Sequence, residues 1–144
     1  IKILLLTQRI SAPRVDNSTN EMLLPANNTP LLLDALEKML KTSSSGSLNI
    51  VFDSLSSLIL LVGFKKTYNF VRYTLDMLAS ENSTALFLFN PDTHDQRVTS
   101  SLRSLFSNHV SYKDGSLQIV KLPELKKMKD TERRKLRDNN GSQK

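Results

Sequence analysis

The stretch LNIVFDSLSSLIL, Leu48–Leu60, decides the fold class and raises the main functional question. Its continuous apolar beginning predicts a buried strand, which ends on Asp53 and is followed at once by serines. The continuation to Gly63 predicts a short helix capped by Asp53 or Ser54. A carboxylate at the end of a buried strand has two interpretations. It either serves a magnesium–nucleotide site or caps the helix that follows.

Outward from this stretch, two more apolar runs predict strands buried on both faces, and helical patterns alternate with them. The polar residues 11–28 predict a long loop, and Thr29 is the expected cap of the first long helix. Asp114-Gly115 between two alternating segments predicts a hairpin, because this pair tolerates the positive φ of a tight turn. The other predicted strands are residues 1–7 and 84–91, and the predicted helices are residues 29–40, 54–62, 64–80 and 93–108, the last capped by Asp92 or Thr93.

This order of elements predicts an α/β fold: a mainly parallel sheet sandwiched by helices, with an antiparallel C-terminal hairpin. We expect one domain over residues 1–122 and a separate basic, helical or flexible tail over residues 123–144. Because Ile1 falls inside a predicted strand, we also expect further residues upstream of it.

Composition excludes several classes of site. The chain has 144 residues and no cysteine, which removes disulfides, thiolate metal sites and cysteine nucleophiles. Two histidines are too few for a histidine-rich metal centre. The serines after Asp53 have no nearby His/Asp pair and no nucleophile-elbow motif, so a hydrolase triad is not indicated. No apolar run is long enough to span a bilayer, and a cytoplasmic location is expected.

Ligands of open parallel sheets bind at the carboxyl ends of the strands. Here those ends carry Thr7-Gln8-Arg9, Asp53-Ser54 and Asn90-Pro91-Asp92, with His94 close by. Asp53, Ser54 and His94 are therefore the candidate nucleotide or metal residues. Each has a structural alternative, since Asp53 or Ser54 can cap a helix and His94 can face water in the first turn of one. No glycine-rich phosphate loop accompanies them, because the four glycines are scattered singly.

The net charge of +6 is concentrated at the C-terminus. From Lys121 onward nine Lys/Arg and four Asp/Glu give +5, so the preceding residues contribute only +1. Such a segment either contacts nucleic-acid phosphates or an anionic surface, or forms a solvated helix with i,i+4 ion pairs. The candidate phosphate-binding residues are Lys126, Lys127, Lys129, Arg133, Arg134, Lys135 and Arg137.

Three short patterns resemble a known family. They are D-S-L-S-x-L-I from Asp53, G-F-K-x-x-Y-x-F from Gly63, and an L-x-x-x-F helix that follows His94. Over about residues 1–122 the chain resembles RecA/KaiC-like P-loop ATPases, closest to the degenerate archaeal KaiC-related regulatory domains of unknown function. The resemblance implies that Asp53 stands at the Walker B position and that the P-loop strand lies before Ile1.

The same resemblance implies a departure from catalysis, because Thr7-Gln8-Arg9 stands where related ATPases carry catalytic carboxylates. We therefore expect a non-catalytic signalling module that binds a protein partner or another copy of itself, without a cofactor. One alternative is a truncated nucleotide-binding ATPase domain that uses ATP with magnesium. The other is a nucleic-acid-associated protein that uses its basic tail.

Overall fold

The computed structural model describes residues 2–42, 49–79 and 83–121. The chain divides into two compact units, Ile1–Thr99 and Ser100–Lys144. The strands are β1 (Ile3–Thr7), β2 (Arg14–Asp16), β3 (Glu21–Pro25), β4 (Asn49–Phe52), β5 (Thr84–Phe87), β6 (His109–Lys113) and β7 (Ser116–Lys121). The helices are α1 (Thr29–Thr42), α2 (Leu55–Val62), α3 (Phe64–Ala79) and α4 (Gln96–Leu105), with a 3-10 turn over Pro91–Thr93.

The predicted α/β class and the antiparallel C-terminal hairpin are confirmed. The described strands form three small sheets in place of the single sheet that was expected. Sheet A has the order β1-β3-β2, in which β1 and β3 are parallel and β2 is antiparallel to β3. Sheet B is the parallel pair β4-β5, and sheet C is the antiparallel pair β6-β7.

The prediction of an unstructured loop over residues 11–28 was wrong. Its residues include β2 and β3, and the latter takes the place beside β1 that the sequence had suggested for β4. The strand EMLLP is short, does not alternate and is preceded by a polar turn, so only its pairing with β1 reveals it. Pairing between distant segments is not encoded in local periodicity.

Three predicted helix starts shift by one to three residues. The Asn28 carbonyl side chain, and not Thr29, accepts the N–H of Leu31 at 3.1 Å and caps α1. Similarly, Asp95 accepts the N–H of Val98 at 2.8 Å and caps α4, while the predicted cap Asp92 lies inside the 3-10 turn. For α2, of the two predicted caps it is Ser54 that acts.

The core of the first unit lies between the helices and the inner faces of the sheets. Both α1 and α2 pack on α3, and the ring of Phe52 on β4 lies 5.4 Å from that of Phe70 on α3. The most buried apolar residues of this unit are Leu24, Ala26, Leu32, Ala35, Leu36, Leu55, Leu58, Phe70, Val71 and Leu78. Helix α3 also buries Thr67 and Thr74, whose hydroxyls donate to the carbonyls of Gly63 and Phe70 four residues earlier.

The outer faces of sheets A and B are more exposed than the apolar runs predict. Along β4 and β5 inward and outward residues alternate, and the outward Val51 and Leu86 are 69% and 54% exposed. The expectation of strands buried on both faces was therefore wrong for the described residues, because helices of this part of the chain cover only one face.

Candidate functional site

Two of the three predicted site segments meet at the carboxyl edge of sheet B. Strands β4 and β5 run in register to Phe52 and Phe87, so Asp53 follows one strand and Leu88 the other. The Leu88 N–H donates to the Phe52 carbonyl at 3.0 Å, and the Leu55 N–H donates to the Leu88 carbonyl at 2.9 Å. The start of α2 is thereby fixed directly against the end of β5.

The third segment, Thr7-Gln8-Arg9, does not join this edge. It ends β1, which pairs with β3 in sheet A. The Thr7 carbonyl accepts the N–H of Ala26 at 2.9 Å, and the Thr7 hydroxyl accepts the N–H of Arg9 at 3.2 Å. These residues therefore form the turn at the end of a different sheet.

Ser54 has a structural task at this edge. Its backbone is extended, and its hydroxyl accepts the N–H of Ser57 at 3.2 Å as the N-cap of α2. An N-cap of this kind satisfies one of the backbone donors that the first helical turn leaves without an acceptor. The hydroxyl of Ser54 also lies 3.1 Å from that of Ser57.

Asp53 is exposed and is not the helix cap. The peptide bond that joins it to Ser54 is cis. Within residues 2–42, 49–79 and 83–121 its carboxylate makes no hydrogen bond and no ion pair. The capping interpretation of Asp53 was therefore wrong, and its carboxylate is free to interact with solvent or with a ligand.

Ser56 joins the two strand ends, a role that the sequence did not reveal. It is only 8% exposed, and its hydroxyl accepts the N–H of Asn90 at 2.9 Å. The same hydroxyl donates to the Asn90 carbonyl at 3.3 Å. In turn the Asn90 side chain accepts the N–H of Asp92 at 3.1 Å and caps the 3-10 turn. We call this arrangement of Ser56 and Asn90 the serine clamp.

His94 ends the 3-10 turn and does not face water as the structural alternative supposed. Its ring stacks on Phe89, with centroids 5.2 Å apart and planes 8° from parallel. The Nε2 atom is buried, and no partner for it is found in the described part of the chain. The hydroxyl of Thr99 in α4 is in the same condition. A buried imidazole nitrogen without a partner is a position where a water molecule or a ligand group would form a hydrogen bond.

These residues do not amount to a metal centre. In the described ranges no group of three or more His, Cys, Asp or Glu side chains is arranged to hold a metal ion. The same ranges include no helix long and apolar enough to cross a bilayer. The seven candidate phosphate-binding residues of the tail lie outside the described residues.

A separate groove of about 360 Å³ lies between sheet A and α1. Val15, Met22, Leu31 and Met39 line it among its apolar residues, and the Asp34–Lys38 ion pair of 2.8 Å contributes to its polar lining. None of Asp53, Ser54 and His94 belongs to it, so the groove and the carboxyl edge of sheet B are distinct features.

Comparison with known proteins assigns the chain to one family. Searches of curated proteins and of solved structures found no significant match. A family model matches residues 8–106, which include both parallel strand pairs, α1 to α3, the serine clamp and His94. Because the match covers more than half of the chain, the protein belongs to the family described as protein of unknown function, DUF835.

Proposed function

We propose that the protein is a non-catalytic RecA/KaiC-like module that acts in regulation or assembly through protein–protein contact. The observation that carries the proposal is the apolar outer face of sheet B, where Val51 and Leu86 are 69% and 54% exposed. Leu88, just beyond β5, is 40% exposed. Contiguous apolar surface on a folded domain is typical of a contact site for another macromolecule.

The use of the serines at the strand ends supports the same proposal. The Ser54 hydroxyl caps α2 and the Ser56 hydroxyl holds Asn90, so both are engaged in local structure. Neither Ser54 nor Ser56 is next to a general base in the described residues, which nucleophilic catalysis would require. The Asp53 carboxylate is accompanied by no phosphate-binding loop in the sequence.

The RecA-like part of the proposal rests on two parallel strand pairs. Both β1-β3 and β4-β5 are parallel, and the latter pair is joined through two helices. Parallel pairs connected through helices are the repeating unit of open α/β sheets. We infer that sheets A and B correspond to segments of one RecA-like sheet.

A test measures ATP hydrolysis by the purified chain with magnesium, together with Asp53→Ala and Asp76→Ala. Asp76 is an exposed carboxylate on α3 and serves as the matched control. We expect all three proteins to show the same background rate, because no group in the sequence pattern activates water beside Asp53. A rate above background that Asp53→Ala abolishes and Asp76→Ala preserves would contradict the proposal.

A second candidate function, nucleotide binding, is favoured by the buried and unpartnered Nε2 of His94. A phosphate or ribose hydroxyl at the carboxyl edge of sheet B would supply its missing partner, and magnesium would suit the free Asp53 carboxylate. Calorimetry with magnesium–ATP in the same three proteins separates the two candidates. Binding that weakens only in Asp53→Ala would favour this one.

A further inference from the structure

The C-terminal hairpin has one apolar face and one polar face. Asp114 and Gly115 form its turn with φ of 51° and 76°. The cross-strand pairs Val110–Ile119 and Tyr112–Leu117 share one face, because residues two apart along a strand point the same way. These four side chains are 49%, 63%, 73% and 74% exposed, in that order, and we call them the hairpin face.

The opposite face carries the polar pairs of the same register. Ser111 lies opposite Gln118, and Lys113 lies opposite Ser116. An isolated two-stranded hairpin is marginal in water and becomes stable when an apolar face packs against another surface. Such a division into apolar and polar faces therefore indicates that the hairpin face is covered in the functional protein.

We propose that the hairpin face is the contact between two copies of this chain, packed face to face about a twofold axis. This inference rests on the proposed function, because it names the partner of a module that acts by protein contact. In a twofold contact each residue of the patch meets the same patch on the other copy. The hairpin face suits this geometry because it has no charged residue, and so it buries no like-charge pair against itself.

Charge at the two ends of the hairpin favours a second copy over other partners. The end away from the turn is basic: Arg103 and Lys121 lie close enough to lower the pKa of His109, whose partial burial lowers it further. The turn end carries Asp114, while Lys113 belongs to the polar face. A twofold axis perpendicular to the strands brings Asp114 of each copy toward the basic end of the other, which is an attractive arrangement.

A nucleic acid fits this face less well than a second copy does. Nucleic-acid binding depends on cations that neutralise phosphates, and the hairpin face provides none. It instead offers Tyr112, a residue type enriched at the centres of protein–protein interfaces.

The absence of cysteine from the sequence makes a direct test possible. Tyr112→Cys and Gln118→Cys each place a single thiol on the full chain, the first on the hairpin face and the second on the polar face. Under mild oxidation we expect Tyr112→Cys to form a disulfide-linked dimer and Gln118→Cys to remain largely monomeric. Asp114→Cys mixed with Lys121→Cys is expected to give the mixed dimer that the antiparallel arrangement requires.

Light scattering of the unoxidised chain supplies a measurement that does not depend on cross-linking. We expect a concentration-dependent mass that approaches twice the 16.3 kDa of one chain. Leu117→Asp should return it to the mass of one chain, whereas Gln118→Asp should leave the dimer intact. A circular dichroism spectrum unchanged from wild type shows that Leu117→Asp is still folded.

Three outcomes would overturn the inference. They are a single-chain mass at every concentration, equal cross-linking through both faces, and a dimer that appears only after residues 122–144 are removed, since these residues would then occupy the face themselves. The inference and the proposed function can fail separately. Hydrolysis of ATP that depends on Asp53 contradicts the proposed function alone, and a monomer contradicts this inference alone.

Discussion

At the scale of single residues, the serine clamp is the most informative contact of the molecule. One buried hydroxyl satisfies both the N–H and the carbonyl of Asn90, which lies 34 residues further along the chain. The sequence could not predict it, because Ser56 stands among serines that look alike. Ser54 caps the helix, Ser57 is exposed, and only the pairing of β4 with β5 brings Ser56 to Asn90.

The first prediction concerns this clamp. Ser56→Ala removes the hydroxyl and leaves the N–H of Asn90 without its partner, so we expect a loss of about 1–3 kcal/mol in the free energy of unfolding. Urea denaturation followed by circular dichroism measures it. The control Ser57→Ala alters an exposed hydroxyl of the same helix and should change stability by less than about 0.5 kcal/mol. Equal losses in the two variants would contradict the assigned role.

The candidate site was predictable residue by residue only in part. Asp53 and Ser54 lie at the end of β4 as the apolar run indicated, and His94 follows β5. The choice between carboxylate and hydroxyl as the cap depended on side-chain geometry, which the pattern D-S-L-S leaves open. The stacking of His94 on Phe89 was likewise not predictable, since it depends on the 3-10 turn that reverses the chain between them.

At the scale of elements, Gly63 separates α2 from α3. Its φ of 84° and ψ of 159° lie in a region that side chains with a Cβ rarely adopt, and its N–H closes α2 on the Ile59 carbonyl. Nothing lies within 4 Å of the position that a Cβ would take. The requirement for glycine is therefore conformational and does not come from lack of space.

The second prediction follows from that distinction. Gly63→Ala should destabilise the fold by about 1–3 kcal/mol, because alanine has to adopt the same positive φ. Thermal and urea unfolding measure the loss. Lys65→Ala, in the exposed first turn of α3, introduces the same side chain at a helical φ and should be nearly neutral. If Gly63→Ala were neutral as well, the conformational explanation would be wrong.

Local signals predicted most elements, and non-local ones were missed. Helices α1 and α3, strands β4 and β5 and the turn at Asp114-Gly115 all follow from periodicity or turn chemistry within a few residues. Strands β2 and β3 did not, since RVD and EMLLP become strands only through their contacts with each other and with β1. For the same reason the division of the strands among three sheets could not be derived from the order of elements.

At the scale of the whole molecule, the uneven distribution of charge supports the third prediction. Changing Arg133, Arg134, Lys135 and Arg137 to glutamine removes four of the cations that give the C-terminal segment its net +5. If this segment binds nucleic acid, the variant should bind duplex DNA more weakly at every salt concentration. The salt dependence should also become shallower, by about 0.9 in log–log slope for each phosphate that the variant no longer neutralises.

Fluorescence anisotropy over a series of salt concentrations measures both quantities. The matched control changes Lys38, Lys41, Lys65 and Lys66 to glutamine, which removes the same amount of charge from the exposed surfaces of α1 and α3. Equal weakening in the two variants would show that binding follows net charge and not the C-terminal segment. No binding by the wild-type chain would exclude the nucleic-acid alternative.

The two parallel pairs differ in how far apart their strands lie along the chain. In sheet A Ile3 faces Glu21, a separation of 21 − 3 = 18 residues, whereas in sheet B Asn49 faces Thr84, a separation of 84 − 49 = 35. Each doubling of a closed loop costs about 0.6 kcal/mol of chain entropy. Chain entropy therefore favours sheet A as the earlier to assemble. The edge that carries Asp53 and His94 comes into existence only after α2 and α3 have brought the ends of the longer segment together.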